Sequence, residues 1–223
     1  MYMPTHFDET RSDVLHALMR EHPFGLLITQ QAAGIEANGV PFLFDPDRGP
    51  HGTLRAHVAR ANPVWREART DVESLVVFQG PQAYISPAWY ATKAQTGKVV
   101  PTWNYVMVEA RGRLQIHDDP EWVLRMVSQL TDRHEGARVE PWKVGDAPAD
   151  FVATMRKAIV GIEIELTSLR GKWKVSQNRP GADRDGVIKG LGELPDDASR
   201  AMAAQVGEPG GPTIRTFKTD TGG

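Results

Sequence analysis

Six short apolar runs scattered between helix-like stretches, with no strand–helix–strand alternation, predict an α+β protein. Its body is mainly antiparallel β, a small closed or partly closed six-stranded barrel with peripheral helices. Ile162-Glu163-Ile164-Glu165-Leu166 alternates strictly, as a half-buried antiparallel strand does. Phe24 to Gln30 and Val40 to Phe44 flank an Ala33-Gly34 turn and read as a hairpin, with Pro41 placing its second strand at an edge or bulge.

In chain order, Thr10-Arg11-Ser12-Asp13 reads as a capping box for a helix over Ser12 to Glu21. Val14, Leu15, Leu18 and Met19 share one face of it, and Pro23 stops it. After the hairpin, Thr53 to Val58 supplies a third strand, and Asn62-Pro63 opens a short helix. Leu75 to Phe78 is a buried strand, and Trp103 to His117 a long one weakened at Gly112. Asp119-Pro120-Glu121 starts a helix whose stripe is Trp122, Val123, Met126, Val127 and Leu130. Another begins at Asp146 to Pro148, with Phe151, Val152, Met155 and Ile159 expected inward, before the strand at Ile162. Composition breaks at Gly192, after which nine of 32 positions are Gly or Pro, so residues 1–191 are expected as the folded domain and 192–223 as an extension. Asp196 to Gln205 is its one helix candidate, and Gly207 to Gly223 reads as a tail.

With 223 residues, 40% hydrophobic and net charge −2, the chain has apolar side chain enough for a core and no uniformly basic coat. The absence of cysteine excludes disulfides, zinc–thiolate sites, iron–sulfur clusters and thiol nucleophiles. No leader pattern opens the sequence and no apolar run reaches a membrane span, so a cytoplasmic protein with no membrane partner is expected. P-loop, hydrolase-elbow and zinc-helix motifs are missing, and the histidines are too dispersed for a metal site.

Four segments are dense in chemistry. Arg55, His57 and Arg60, beside the helix opening at Asn62, offer donors suited to a phosphate, or are surface arginines and a satisfied histidine. Phe78 to Tyr90 packs aromatics between prolines, making a rigid wall for a flat ligand or a partner subunit, or a piece of core. In Val100-Pro101-Thr102-Trp103-Asn104-Tyr105, Trp103 and Tyr105 point one way and Asn104 the other, where its amide could match a heterocycle edge or serve a bulge. Arg170 to Arg179 holds four basic residues and no acid. Lys174, Ser176 and Asn178 fall in line for an anion, either a cofactor phosphate or a nucleic-acid backbone, or form a solvated turn.

Together with the opening Met1-Tyr2-Met3-Pro4-Thr5-His6-Phe7, these motifs resemble the PaiB family of FMN-binding negative transcriptional regulators. The motifs are Ala59-Arg60-Ala61-Asn62-Pro63, Phe78-Gln79-Gly80-Pro81, Tyr84-Ile85-Ser86-Pro87, Trp89-Tyr90 with Lys93, Pro101 to Tyr105, and Lys174 with Ser176-Gln177-Asn178-Arg179-Pro180. The resemblance implies a Greek-key split β-barrel, a homodimer with FMN at the subunit interface, and repression of transcription at a DNA operator. On that pattern Arg55, His57, Lys174, Ser176, Gln177 and Asn178 would serve the phosphate and ribityl chain. Pro101, Thr102, Trp103 and Asn104 would face the ring, with Trp89, Tyr90 and Lys93 closing over it or coming from the partner. Gly39 and Ala56 stand where the family tends to carry His and Gly, which implies weaker or absent flavin. An FMN-dependent oxidoreductase, or a haem-binding protein, on the same fold is the alternative.

Overall fold

A computed structural model describes residues 1–211, so most of the expected tail, from 212 onward, lies outside the described residues. Eight strands form: β1 (Asp8–Glu9), β2 (Phe24–Gln31), β3 (Gly34–Pro41), β4 (Leu43–Asp45), β5 (Thr53–Ala59), β6 (Glu73–Ile85), β7 (Thr102–His117) and β8 (Ile159–Lys174). Seven helices accompany them: α1 (Ser12–Glu21), α2 (Val64–Glu67), α3 (Thr92–Thr96), α4 (Pro120–Glu135), α5 (Ala149–Lys157), α6 (Gly181–Gly192) and α7 (Asp197–Gly207). The sheet runs β3-β2-β6-β7-β8-β5-β4, with β1 beside β8. β2 pairs antiparallel with β3 and β6, β5 with β4 and β8, and β1 with β8. The antiparallel α+β fold stands as read, but the hairpin partner expected over Val40 to Phe44 is corrected: β2 pairs with Gly34–Pro41, the chain breaks at Phe42, and Leu43–Asp45 pairs with β5 instead, while β1 is a further short strand.

The chain divides into two compact units. One holds Pro23–Phe78 and Glu109–Leu169. Within it β2 pairs β3 from Phe24↔Pro41 to Gln31↔Gly34, and β5 pairs β8 from Thr53↔Glu165 to Ala59↔Ile159. The sheet curls until β3 meets β5, and Asn62 just beyond β5 donates its amide to Asn38 Oδ1 at 2.8 Å. Leu27, Leu54, Val76, Phe78, Leu114, Ile162 and Ile164 fill the interior. Gly112, the apparent weak point of β7, is required by packing: a Cβ there would lie 2.2 Å from the Glu165 carbonyl oxygen.

The other unit holds Met1–His22, Gln79–Val108 and the chain from Arg170. Here α1 buries Val14, Leu15, Leu18 and Met19, as its periodicity requires. Leu15 lies against Gly171 and Leu18 against Gly80, positions where a Cβ would come within 2.1 and 2.6 Å of them. Trp173 is buried and donates its indole N–H to Gln205 Oε1 at 3.0 Å, which ties α7 to the end of β8.

Three local expectations are corrected. No capping box starts α1, because Glu9 takes the Arg11 backbone N–H and guanidinium instead. The β2–β3 turn falls one residue early, on Ala32-Ala33, with Gly34 opening β3 at φ +130°. Phe151 and Met155 do not face inward, since α5 buries no residue. By contrast, Asp119 caps α4 through the N–H groups of Glu121 and Trp122, and Asp196 caps α7 through that of Ser199.

Candidate functional site

The unit that begins at Met1 brings the Pro101–Tyr105 segment and the basic run together. Lys174, the last residue of β8, donates Nζ hydrogen bonds to Thr102 Oγ1 at 2.5 Å and to the Trp103 carbonyl at 2.6 Å. Two residues on, the chain turns through Ser176, which alone among the described non-glycine residues has positive φ, at +65°. That conformation costs about 1–2 kcal/mol for an L-residue, so its surroundings must hold it. Asn104 does so: fully buried, it donates Nδ2 to Ser176 Oγ at 2.9 Å. One N–H of its amide is therefore engaged at the turn. Gln177 closes the turn from within, accepting from the Val175 N–H at 2.8 Å and donating to the Trp173 carbonyl.

Trp103 and Tyr105 point away from Asn104, as alternation requires. Trp103 is 48% exposed, with its indole N–H on Gln82 Oε1 at 3.1 Å and its ring edge-on to Tyr84, itself 50% exposed. The guanidinium of Arg179 stands 4.8 Å from the centre of the Tyr90 ring. Tyr90 is 2% exposed and its hydroxyl makes no hydrogen bond. Burial pushes this phenol up, against the pull of Arg179. Among the described residues no carboxylate pairs with Lys172, Lys174 or Arg179. The Lys174 ammonium is pushed down by burial first, then by Lys172 and Arg179 beside it.

The basic run is thus not a solvated patch. Lys172 is buried, donates to the Tyr2 carbonyl at 2.9 Å and stands over the rings of Tyr2 and Tyr105. Asn178 and Lys93 are exposed, as is Pro101, while Trp89 lies flat on α6 at Gly190. Any Cβ at Gly190 would sit 2.4 Å from the Trp89 ring, and one at Gly186 2.0 Å from the Trp89 carbonyl oxygen, which accounts for these two glycines of the helix by packing. Asp183, buried in the first turn of α6, accepts from Thr92 N–H and Oγ1 at 2.8 and 2.9 Å. Arg179 and Gln82 were missed as site residues, and only the strand alternation around Gln82 and Tyr84 could have flagged the latter.

Arg55 and His57 lie in the other unit. Arg55 is committed to Asp45 Oδ2 at 3.3 Å and Gln129 Oε1 at 3.0 Å. His57 faces Gly161 across the ladder, with Nδ1 buried and unbonded, and burial pushes its imidazole down. Nearby in the same unit, the buried Glu163 takes both guanidinium nitrogens of Arg48 at 2.8 Å, and His117 stacks on Trp122. Arg60 likewise clasps Asp118 and the carbonyls of Lys157 and Ile159, so the Ala59–Pro63 motif serves the fold.

Residues 1–168 match the family model described as "Putative FMN-binding domain". The chain is 30% identical to protease synthase and sporulation protein PAI 2 of Bacillus subtilis, covering 91% of this chain and 95% of that one. It is 35% identical to an uncharacterised protein of Emericella nidulans, covering 94% and 98%. Among solved structures it is similar to the flavocytochrome Anf3 from Azotobacter vinelandii, with TM-score 0.56 at 11% identity, covering 77% of this chain and 72% of that one. The FAD and haem binding protein from Mycobacterium smegmatis gives TM-score 0.53 at 12% identity, covering 75% and 73%.

Proposed function

Because this chain belongs to the FMN-binding domain family, with the split-barrel fold its PaiB resemblance implies, we propose that it binds FMN. In this reading Lys174 and Arg179 take the phosphate, and the flat ring lies along Thr102–Trp103 beside Tyr84. The carrying observation is the cluster of cations without a counter-ion around a turn held in a costly conformation. Crowded cations that depress one another's proton affinity are relieved by a bound anion. One N–H of the Lys174 ammonium remains after Thr102 and Trp103 are served. Asn104, Ser176 and Gln177 shape the turn, Asn178 is placed for the ribityl chain, and Trp89, Tyr90, Lys93 and Pro101 border the site. Arg55 and His57 are given no part in it. When bound, FMN supplies one- and two-electron chemistry.

The test is titration with FMN and with riboflavin, which lacks the phosphate. Lys174→Met should weaken FMN at least about tenfold, the loss of one charge-assisted bond, and leave riboflavin unchanged. Equal loss for both ligands, or for neither, counts against the assignment.

We further infer a homodimer acting as a negative regulator of transcription in the cytoplasm, on the strength of the PaiB resemblance and the similarity to the Bacillus subtilis protein. With Lys172 and Lys174 engaged inside the fold, operator contact falls to residues outside the run 170–179. A salt-sensitive mobility shift of promoter DNA that survives Arg170→Glu supports this, and no shift at any salt contradicts it. The half-exposed Trp103 and Tyr84 favour one second reading, a flavin-dependent oxidoreductase whose other reactant stacks on them. Oxidation of NAD(P)H by the yellow protein would select that reading. A Soret band on haem addition would select haem, which the flavocytochrome likeness brings into view. No described helix is long and apolar enough to cross a membrane.

A further inference from the structure

Where α1 crosses the end of β8, the unit that begins at Met1 holds a cavity of about 150 Å³. Asp13, Ala17 and Glu21 line it in one row, four residues apart along the helix, with Val14 and Leu18 beside them. Trp173 forms its apolar floor, and the backbone of Gly210 and Gly211 its far wall. That wall is held from both sides. The fully buried Gln205 accepts from the Gly210 N–H at 3.2 Å and from the Trp173 indole at 3.0 Å, and donates to the Gly211 carbonyl at 2.7 Å. Arg11 donates to the Pro209 carbonyl at 2.9 Å. Gly210, at φ +82°, lets the chain lie close on α1, since a Cβ there would come within 3.1 Å of Val14 Cγ1.

The lining is apolar between two acids. Asp13, in the first turn of α1, suits the helix dipole, whereas Glu21 is its last residue, where a carboxylate opposes the dipole and the helix itself gives no reason for one. Among the described residues no ion pair forms on Asp13, and Arg11 spends its guanidinium on Glu9 and the Pro209 carbonyl. Eight residues of helix set the two acids about 12 Å apart along the axis, and an ammonium–carboxylate bond at each end takes up about 2.8 Å of that. About 6–7 Å is left between two such nitrogens, the reach of a four- or five-carbon chain lying over Ala17. The volume agrees, since an apolar cavity of about 150 Å³ holds a benzene, a group of comparable size. We propose that this trough binds a linear alkyl diammonium ion, one ammonium on Asp13 and the other on Glu21. Trp173 stands between Lys172 and Lys174 in β8 and faces away from them, so the site is separate from the flavin reading and does not depend on it.

Calorimetric titration of the full chain with diaminobutane and diaminopentane tests it. One ion per chain should bind saturably at or below millimolar concentration, within the reach of so small a ligand. Pentylamine, with a single charge, should bind at least about tenfold more weakly, and so should diaminopropane, too short to span both acids, and diaminooctane, too long to lie between them. Glu21→Gln, which relieves the helix dipole, should remove the preference for diaminopentane over pentylamine without loss of stability. Ala17→Phe, at a half-buried position, should fill the trough and abolish binding with an unchanged circular dichroism spectrum. No binding by either diamine, equal affinity for pentylamine and diaminopentane, affinity that ignores chain length, or full binding by Ala17→Phe would overturn the proposal.

Discussion

Ser176 offers the sharpest perturbation, because one residue carries both a strained backbone and the acceptor for a buried amide. Replacement by alanine keeps φ at +65° and removes the oxygen that receives Asn104 Nδ2. A buried donor left without a partner costs about 1–3 kcal/mol. Replacement by glycine removes the same oxygen but tolerates the left-handed conformation, recovering about 1 kcal/mol relative to alanine. The expected order of stability is wild type, then Ser176→Gly, then Ser176→Ala. With a urea slope of about 2 kcal/mol/M, the alanine variant's midpoint should fall by about 1 M and the glycine variant's by about half that. Both should weaken FMN, because the turn presents Asn178 and Arg179. An alanine variant as stable as the glycine variant would show that the backbone at Ser176 is not held in the conformation described.

Three other perturbations follow from the same packing. Arg48→Met leaves the buried Glu163 carboxylate with His117 at 3.9 Å as its one remaining ion-pair partner among the described residues and should cost roughly 3 kcal/mol in urea unfolding, whereas Glu163→Gln leaves a half-exposed arginine and should cost less. The reverse order would refute the bidentate pair. Gly190→Val drives a side chain into the Trp89 ring and should cost about 1–3 kcal/mol with a shift in tryptophan fluorescence; an unchanged spectrum would contradict the contact. Burial pushes His22, His57 and His117 below the ordinary 6.5. The unfolded chain therefore takes up protons first as pH falls, so their contribution is complete above pH 6.5 and is lost below it. The urea midpoint should decline from pH 7.5 to 5.5, and less steeply in His57→Gln; a flat profile would contradict their burial.

Much of the fold is legible because local signals and burial agree. The period of α1, the Asp119 cap of α4 and the strand at Ile162 to Leu166 each appear where the residues place them, although Glu163 is buried with Ile162 and Ile164 because it holds Arg48, so the strand is not half-buried throughout. The α5 face failed because helical period does not say whether a neighbouring surface exists, and Phe151 and Met155 have none. In the candidate site, the meeting of Thr102–Asn104 with Lys174–Ser176 was open to inference from residue chemistry alone. What each group does there was not. Asn104 and Lys172 look in sequence like ligand donors, yet each is buried and gives a bond that holds the chain, which residue type alone does not signal. The positive φ of Ser176 was equally hidden, since serine carries no signal for it in the way glycine does.

The most direct measurement is quenching of FMN fluorescence by the purified full chain, repeated with Lys174→Met. Saturable quenching at one flavin per chain, lost in the variant and restored in part by Lys174→Arg, is the expected result. No quenching by the wild type, or equal quenching by wild type and Lys174→Met, would show that the unpaired cations beside Thr102 and Trp103 do not hold a flavin phosphate.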